Sequence, residues 1–293
     1  MRARVRSLTA AAAIACLVAG GLTSTAGDAA AAAAMTRHSH AAARTVIKPF
    51  LIYYGWVPHQ PAALRRLADR MRGYPAVVLG SGAELPANHE LTACRRLLFD
   101  LPQVIWYGYI DIGVTGGQPD HTLSAIKSEL KAWRRLGVKG VLLDCAGPSY
   151  GVTPGRLRWA VAVAHSLALR ILVNAFTPTV ALSAGLTRGD AWLAENWAVS
   201  SGKSVLPSQE AVPELALLKK RGIPIWMTAT GSKAPLSESE IKPWILSTVS
   251  RVGGVAMAVS GPRYSSESNS LIPASWIANI LRNDVAPHPT SLR

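Results

Sequence analysis

The 293-residue chain is 49% hydrophobic and 16% charged, with 31 Lys+Arg against 17 Asp+Glu and a formal net charge of +14. That balance gives a globular protein with a large core, and no Gln/Asn repeat, heptad run or solenoid period interrupts it. The basic residues are spread over many helical segments instead of forming a block interleaved with aromatics, which excludes nucleic acid and leaves anionic cell-surface polymers as partners for the charge.

The chain opens on Arg2, Arg4 and Arg6, then an apolar run, "LTAAAAIACLVAGGL", then small residues. This is the pattern of a secretory signal peptide over residues 1–34, cleaved between Ala26 and Ala34, and the apolar run is short for a membrane span. Cys16 lacks a lipobox, because Ala13 stands where leucine is preferred. A secreted protein is expected, with attachment to the cell envelope compatible with it. A polar, Ala-rich linker follows over residues 35–45. Removing the leader takes away three Arg and Asp28, so the remainder stays strongly basic. Cys94 and Cys145 remain; two unpaired thiols are expected, because a bridge needs a close approach that their positions do not ensure.

From there one alternation repeats. Strand-like runs are Phe50–Gly55, Ala76–Gly80, Gln103–Asp111, Gly140–Asp144, Arg170–Asn174, Ala191–Asn196, Ile223–Ala229 and Gly254–Ser260. Each is short and apolar, as strands buried on both faces are. Helical segments separate them, at 61–73, 88–101, 121–137, 153–169, 179–186, 207–222, 237–253 and, after the last strand, 273–285. "TPGRL" sets Thr153 as an N-cap ahead of Pro154, and "RRLG", "KKRG" and "RVG" end helices on cations and glycine. Eight βα units in this length predict a single (β/α)₈ TIM barrel over residues 46–285, followed by a tail, 286–293. A doubly wound sheet carries a glycine fingerprint in its first βα turn, and "YYGWVPHQ" is not one.

In a barrel the C-terminal strand ends face the active site. Those ends supply Tyr53, Tyr54 and Trp56; Gly80 and, further out, Glu84; Tyr107, Tyr109 and Asp111; Asp144; Asn174; Glu195 and Trp197; Trp226; and Arg263 with Tyr264. Asp144 and Glu195 end strands of the same parity, so both can aim across one pocket. Two carboxylates between aromatic walls suit glycosidic cleavage, one protonating the leaving oxygen and the other acting as nucleophile or activating water. The structural alternatives stand beside this: an acid at a strand end caps a helix or meets an arginine, Asp111 anchors the Gly-rich loop after it, and Asn174 ties neighbouring strands. A glutamate inside "WLAENW", however, is buried unless it faces the pocket. Trp133, Trp159, Trp244 and Trp276 fall within helices and are expected in the core, and His165 is expected to be structural. His38 and His40 are too isolated to hold a metal, and no metal or cofactor is expected.

"VIWYGYIDIGV", "GVKGVLLDCAG", "RILVNAF" and "DAWLAENWAV" resemble the spherulin-4-like proteins and the related endo-alpha-1,4-polygalactosaminidases. That resemblance, over most of residues 48–260, implies a (β/α)₈ glycoside hydrolase acting on amino-sugar polymers, with Asp144 and Glu195 at the family's acidic positions and Asn174 at its strand-5 asparagine. Two departures stand out: Cys145 occupies a position where such proteins often carry a second acid, and "LGSGAELPAN" replaces their strand-2 loop. The expected protein is a monomeric, secreted glycoside hydrolase acting on a polysaccharide. The alternative is a non-catalytic carbohydrate-binding protein of the envelope. A third reading places phosphate at Lys233 and Arg263, in the loops after strands 7 and 8.

Overall fold

The computed structural model describes residues 47–80, 82–85, 90–200, 203–204, 211–230, 242–243, 247–248 and 252–260. The leader, linker and tail lie outside them, as do the helix predicted over 273–285 and most of the one over 237–253. The described residues belong to the unit Thr45–Arg293.

Eight strands run parallel: β1 (Lys48–Tyr53), β2 (Ala76–Leu79), β3 (Ile105–Asp111), β4 (Gly140–Asp144), β5 (Arg170–Asn174), β6 (Ala191–Ser200), β7 (Ile225–Thr230) and β8 (Ala256–Ser260). Each pairs with its sequence neighbours, and β8 pairs with β1, which closes a (β/α)₈ barrel without an edge. Among the described residues the helices include α1 (Pro61–Met71), α2 (Glu90–Asp100), α3 (Leu123–Leu136), α4 (Pro154–Ser166), α5 (Pro178–Ser183) and α6 (Val212–Lys220). The predicted ends hold where the chemistry was explicit. Thr153 Oγ1 accepts the Arg156 amide at the start of α4, and Gly137 closes α3 in the left-handed region at φ 106°. Among the elements beyond the predicted alternation are the 3₁₀ turn Pro148–Tyr150, the short strand Lys203–Ser204, which pairs antiparallel with the end of β6, and a hairpin in which Val114–Thr115 pairs antiparallel with Gln118–Pro119, turning on Gly116 and Gly117, both at positive φ.

Alternation along the strands builds two cores. Leu51, Val77, Ile110, Val141, Leu143, Ile171, Val173 and Met227 face outward and pack against the helices. Phe50, Val78, Tyr107, Leu142, Leu172, Leu193 and Ala258 fill the inside of the barrel. Each such aliphatic side chain contributes about 1.5–3 kcal/mol by leaving water. The barrel is therefore packed at its centre, and open chemistry is confined to its two ends.

The site-bearing strands are fixed by close approaches. Gly108 faces out of β3, and the fully buried Trp133 of α3 lies flush on it, where an added Cβ would stand 2.1 Å from Trp133 Cδ2. Trp133 Nε1 also donates to the Tyr109 carbonyl at 3.2 Å. Helix α3 is thus registered against the segment of β3 that carries Tyr109 and Asp111. Gly108→Ala is expected to destabilise the protein by about 1–3 kcal/mol or more, because the indole cannot retreat. Gly189→Ala, which has open space around its Cβ, should stay within about 0.5 kcal/mol. Urea denaturation of the two variants checks this.

Candidate active site

Asp144 and Asn174 end β4 and β5, and Glu195 stands within β6, which runs on to Ser200 past the predicted end at Asn196; the three strands are adjacent in the barrel. Asn174 Nδ2 donates to Asp144 Oδ1 at 2.6 Å and to Glu195 Oε2 at 2.8 Å. An amide NH₂ has two donors, and here each meets a different carboxylate. Tyr109 Oη donates to the other oxygen of Asp144 at 2.6 Å. The four side chains form one hydrogen-bonded row across the mouth, half-buried throughout.

The two acids sit in unlike environments. Burial pushes the Glu195 carboxyl above the ordinary glutamate range, the Asp144 charge adds to the rise, and the Asn174 hydrogen bond opposes it. Asp144, with donors on both oxygens, is presented as an acceptor. Burial and the Asp144 charge also raise the Tyr109 phenol, so it acts as a donor.

Asp111 is registered directly beside Asp144, yet its contacts turn it toward its own loop. Its Oδ1 accepts the Gly113 amide at 2.7 Å, and the Cys145 thiol donates to its carboxylate. Burial first, then the neighbouring Asp144, raises it above the ordinary range. Arg156 clamps the same loop from α4, donating to the carbonyls of Ile112 at 2.8 Å and His121 at 2.6 Å. Cys145 stands at φ 53°, a left-handed conformation that bends the chain immediately after Asp144. The bend lets the Ala146 amide reach the Asn174 carbonyl at 3.0 Å. Both cysteines are free, Cys94 buried and Cys145 half-buried. His165 has the structural role expected of it, bonding the buried Asp190 at 2.9 Å.

Several residues expected at the rim lie elsewhere. Tyr53 points outward into the helix-facing core and donates to the Trp56 carbonyl at 2.8 Å; it cannot share the inside with Tyr54, its neighbour on the strand. Tyr107 and Trp226 do face inward, but at the N-terminal end of the barrel, their rings 5.5 Å apart. Tyr54 faces the mouth, its ring edge-on to Tyr109 at 5.5 Å. Trp56 is 75% exposed. Lys233, Arg263, Tyr264, Trp244, Trp276 and the side chain of Trp197 lie outside the described residues. Trp133 is core, and Trp159 packs against it half-buried.

Two aromatics were missed. Tyr150, in the short 3₁₀ turn after β4, stacks on Phe176, two residues past β5, at 5.3 Å and 13° between planes. Burial raises the Tyr150 phenol, and Cys145, Glu195 and Asp144 raise it further, so it borders the acids. Phe176 is 54% exposed. The available signal was an aromatic two residues beyond a strand-end asparagine. Among the described residues no cluster of acids, histidines and cysteines could hold a metal, and no helix is long and apolar enough to cross a membrane.

No family model matches the chain, and no curated protein matches it. Solved structures do. The D-psicose 3-epimerase of Clostridium cellulolyticum H10 is 10% identical over 80% of this chain and 96% of its own, with TM-score 0.50. The carboxyl transferase domain of Rhizobium etli pyruvate carboxylase is 12% identical over 80% of this chain and 47% of its own, also at TM-score 0.50. The glycoside hydrolase domain of PelA from Pseudomonas aeruginosa is 13% identical over 72% of this chain and 94% of its own, at TM-score 0.48. The first two likenesses, at TM-score 0.50, bear on the (β/α)₈ fold alone.

Glu84, just past β2, is 3% exposed, and among the described residues its Oε2 meets no hydrogen-bond partner. Burial raises its pKa from 4.5 to about 7, with nearby Glu129 adding. Between those values the folded protein holds a proton that the unfolded chain releases, so stability should fall as pH rises from about 4.5 to 7 and level off above. Glu84→Gln is expected to remove this slope, read as melting temperature against pH.

Proposed function

We propose that the protein is a secreted glycoside hydrolase that cleaves a polysaccharide with Asp144 and Glu195 as its paired carboxylates. The observation that carries this reading is the Asn174 amide bonded to both acids. Two bonds from one nitrogen keep Asp144 Oδ1 and Glu195 Oε2 within about 5.5 Å, the spacing of retaining glycosidases and short of the roughly 6.5–9.5 Å that inverting enzymes leave for water. Glu195, raised by burial and by its anionic neighbour, is the group that holds a proton for the leaving oxygen. Asp144, steadied by Tyr109 and Asn174, is the nucleophile that bonds to the anomeric carbon. The deprotonated Glu195 then takes a proton from water, which hydrolyses the glycosyl ester and releases Asp144.

The Tyr150–Phe176 stack offers a flat face for a sugar ring beside the acids, and the exposed Trp56 is a further aromatic surface after β1. Asp144 acts electrostatically on both Asp111 and Glu195, a local acidity that suits a cationic amino-sugar polymer in spite of the basic chain. The basic and then apolar pattern of residues 1–34 supports an action outside the cell.

Purified protein screened against microbial exopolysaccharides tests the reading. Asp144→Asn and Glu195→Gln should each lower kcat by about 10³-fold or more while leaving the fold intact. Undiminished hydrolysis in either variant contradicts it, and saccharide binding without turnover in the wild type indicates a binding protein. The pH profile of kcat/KM should lose activity on its alkaline side at a pH above the ordinary glutamate range. The first product anomer, followed by NMR, should retain the substrate's configuration.

A further inference from the structure

The opposite end of the barrel carries a second cleft, of about 410 Å³, at the N-terminal ends of the strands. Its floor is aromatic. The Trp226 ring lies 4.8 Å from that of Phe50 and 5.5 Å from that of Tyr107. Its walls carry three cations, Lys48, Arg170 and Arg188, all exposed. Arg170 bonds the Tyr107 phenol, which ties one cation to the floor. Arg188 lies against the turn at Gly222: a Cβ there would stand 3.2 Å from Arg188 Cγ and 3.3 Å from its Nε. Glycine at that turn therefore leaves the space the arginine occupies.

One carboxylate lines the cleft, Asp190, and it is committed elsewhere. Its oxygens accept the amides of Ile171 at 2.8 Å and Thr187 at 2.6 Å, the Thr187 hydroxyl at 2.9 Å and His165 Nε2 at 2.9 Å. Among the described residues no carboxylate pairs with Lys48 or Arg188. An aromatic floor stacks on the C–H face of a sugar ring, and a cationic rim takes an anionic substituent at the ring's edge. The volume falls at the small end of ligand sites, enough for one or two rings.

The geometry points to a binding site for an anionic sugar ring at this end of the barrel, separate from the acids at the mouth. The recognising chemistry is a six-membered ring that bears one carboxylate or phosphate. Such a site would hold the protein to acidic glycans while the far end remains free.

Calorimetric titration of the full chain with D-glucuronate, D-glucose 6-phosphate and D-glucose tests it, and the first two separate a uronate from a phosphate as the anion. One or both anions should bind saturably and glucose should not. Arg188→Glu and Lys48→Glu, both at exposed positions, should each weaken that binding by about tenfold or more. Glu195→Gln should leave it unchanged. Absence of saturable binding by either anion, equal binding of glucose, indifference to both charge reversals, or loss in Glu195→Gln would overturn the assignment.

Discussion

Side chains on a β-strand alternate between faces, and closing eight such strands into a ring sends every second residue inside, apart from the register shift between β6 and β7 after Met227. The rest of the molecule depends on this. Leu142 and Leu172 fill the centre because they face in, and Asp144 and Asn174 reach the mouth because they stand two residues further along the same faces. Glu195 follows Leu193 in the same way on the next strand. The packed middle separates two solvent-facing ends, so a chemistry at one end and a binding surface at the other need not interfere.

At the mouth the decisive contact is the Asn174 amide. It takes one hydrogen bond to each of two acids that would otherwise repel, and it fixes their separation. The supports of this row reach outward through the fold. Tyr109 holds Asp144 from β3, and β3 is registered by Trp133 lying on Gly108. The left-handed turn at Cys145 draws the chain back to β5, and the thiol braces Asp111 in the loop that Arg156 clamps. Here the thiol donates to Asp111, whereas an acid at position 145 would add a further negative charge beside Asp144.

Much of this was legible in the sequence because the signals were periodic or local. Eight apolar runs with capped helices between them gave the barrel, and the parity of Asp144 and Glu195 followed from counting along their strands. The misplacements share a cause. Tyr53 and Tyr54 are adjacent and cannot both face in, and Tyr107 and Trp226 face in but lie near the start of their strands, away from the rim. Strand content was visible, but depth along the barrel axis depends on register, which residue type does not encode. The Tyr150–Phe176 stack was missed for a different reason: it joins two loops from neighbouring units, and no local pattern pairs them. The positive φ at Cys145 was equally hidden, since glycine usually marks such a turn.

The most direct test of the paired acids needs no substrate. NMR titration of the Glu195 carboxyl should show a midpoint above the ordinary glutamate range in the wild-type protein, and Asp144→Asn, which removes the neighbouring charge and keeps the shape, should lower it. An ordinary midpoint that Asp144→Asn leaves unmoved would contradict the pairing on which the proposed chemistry rests.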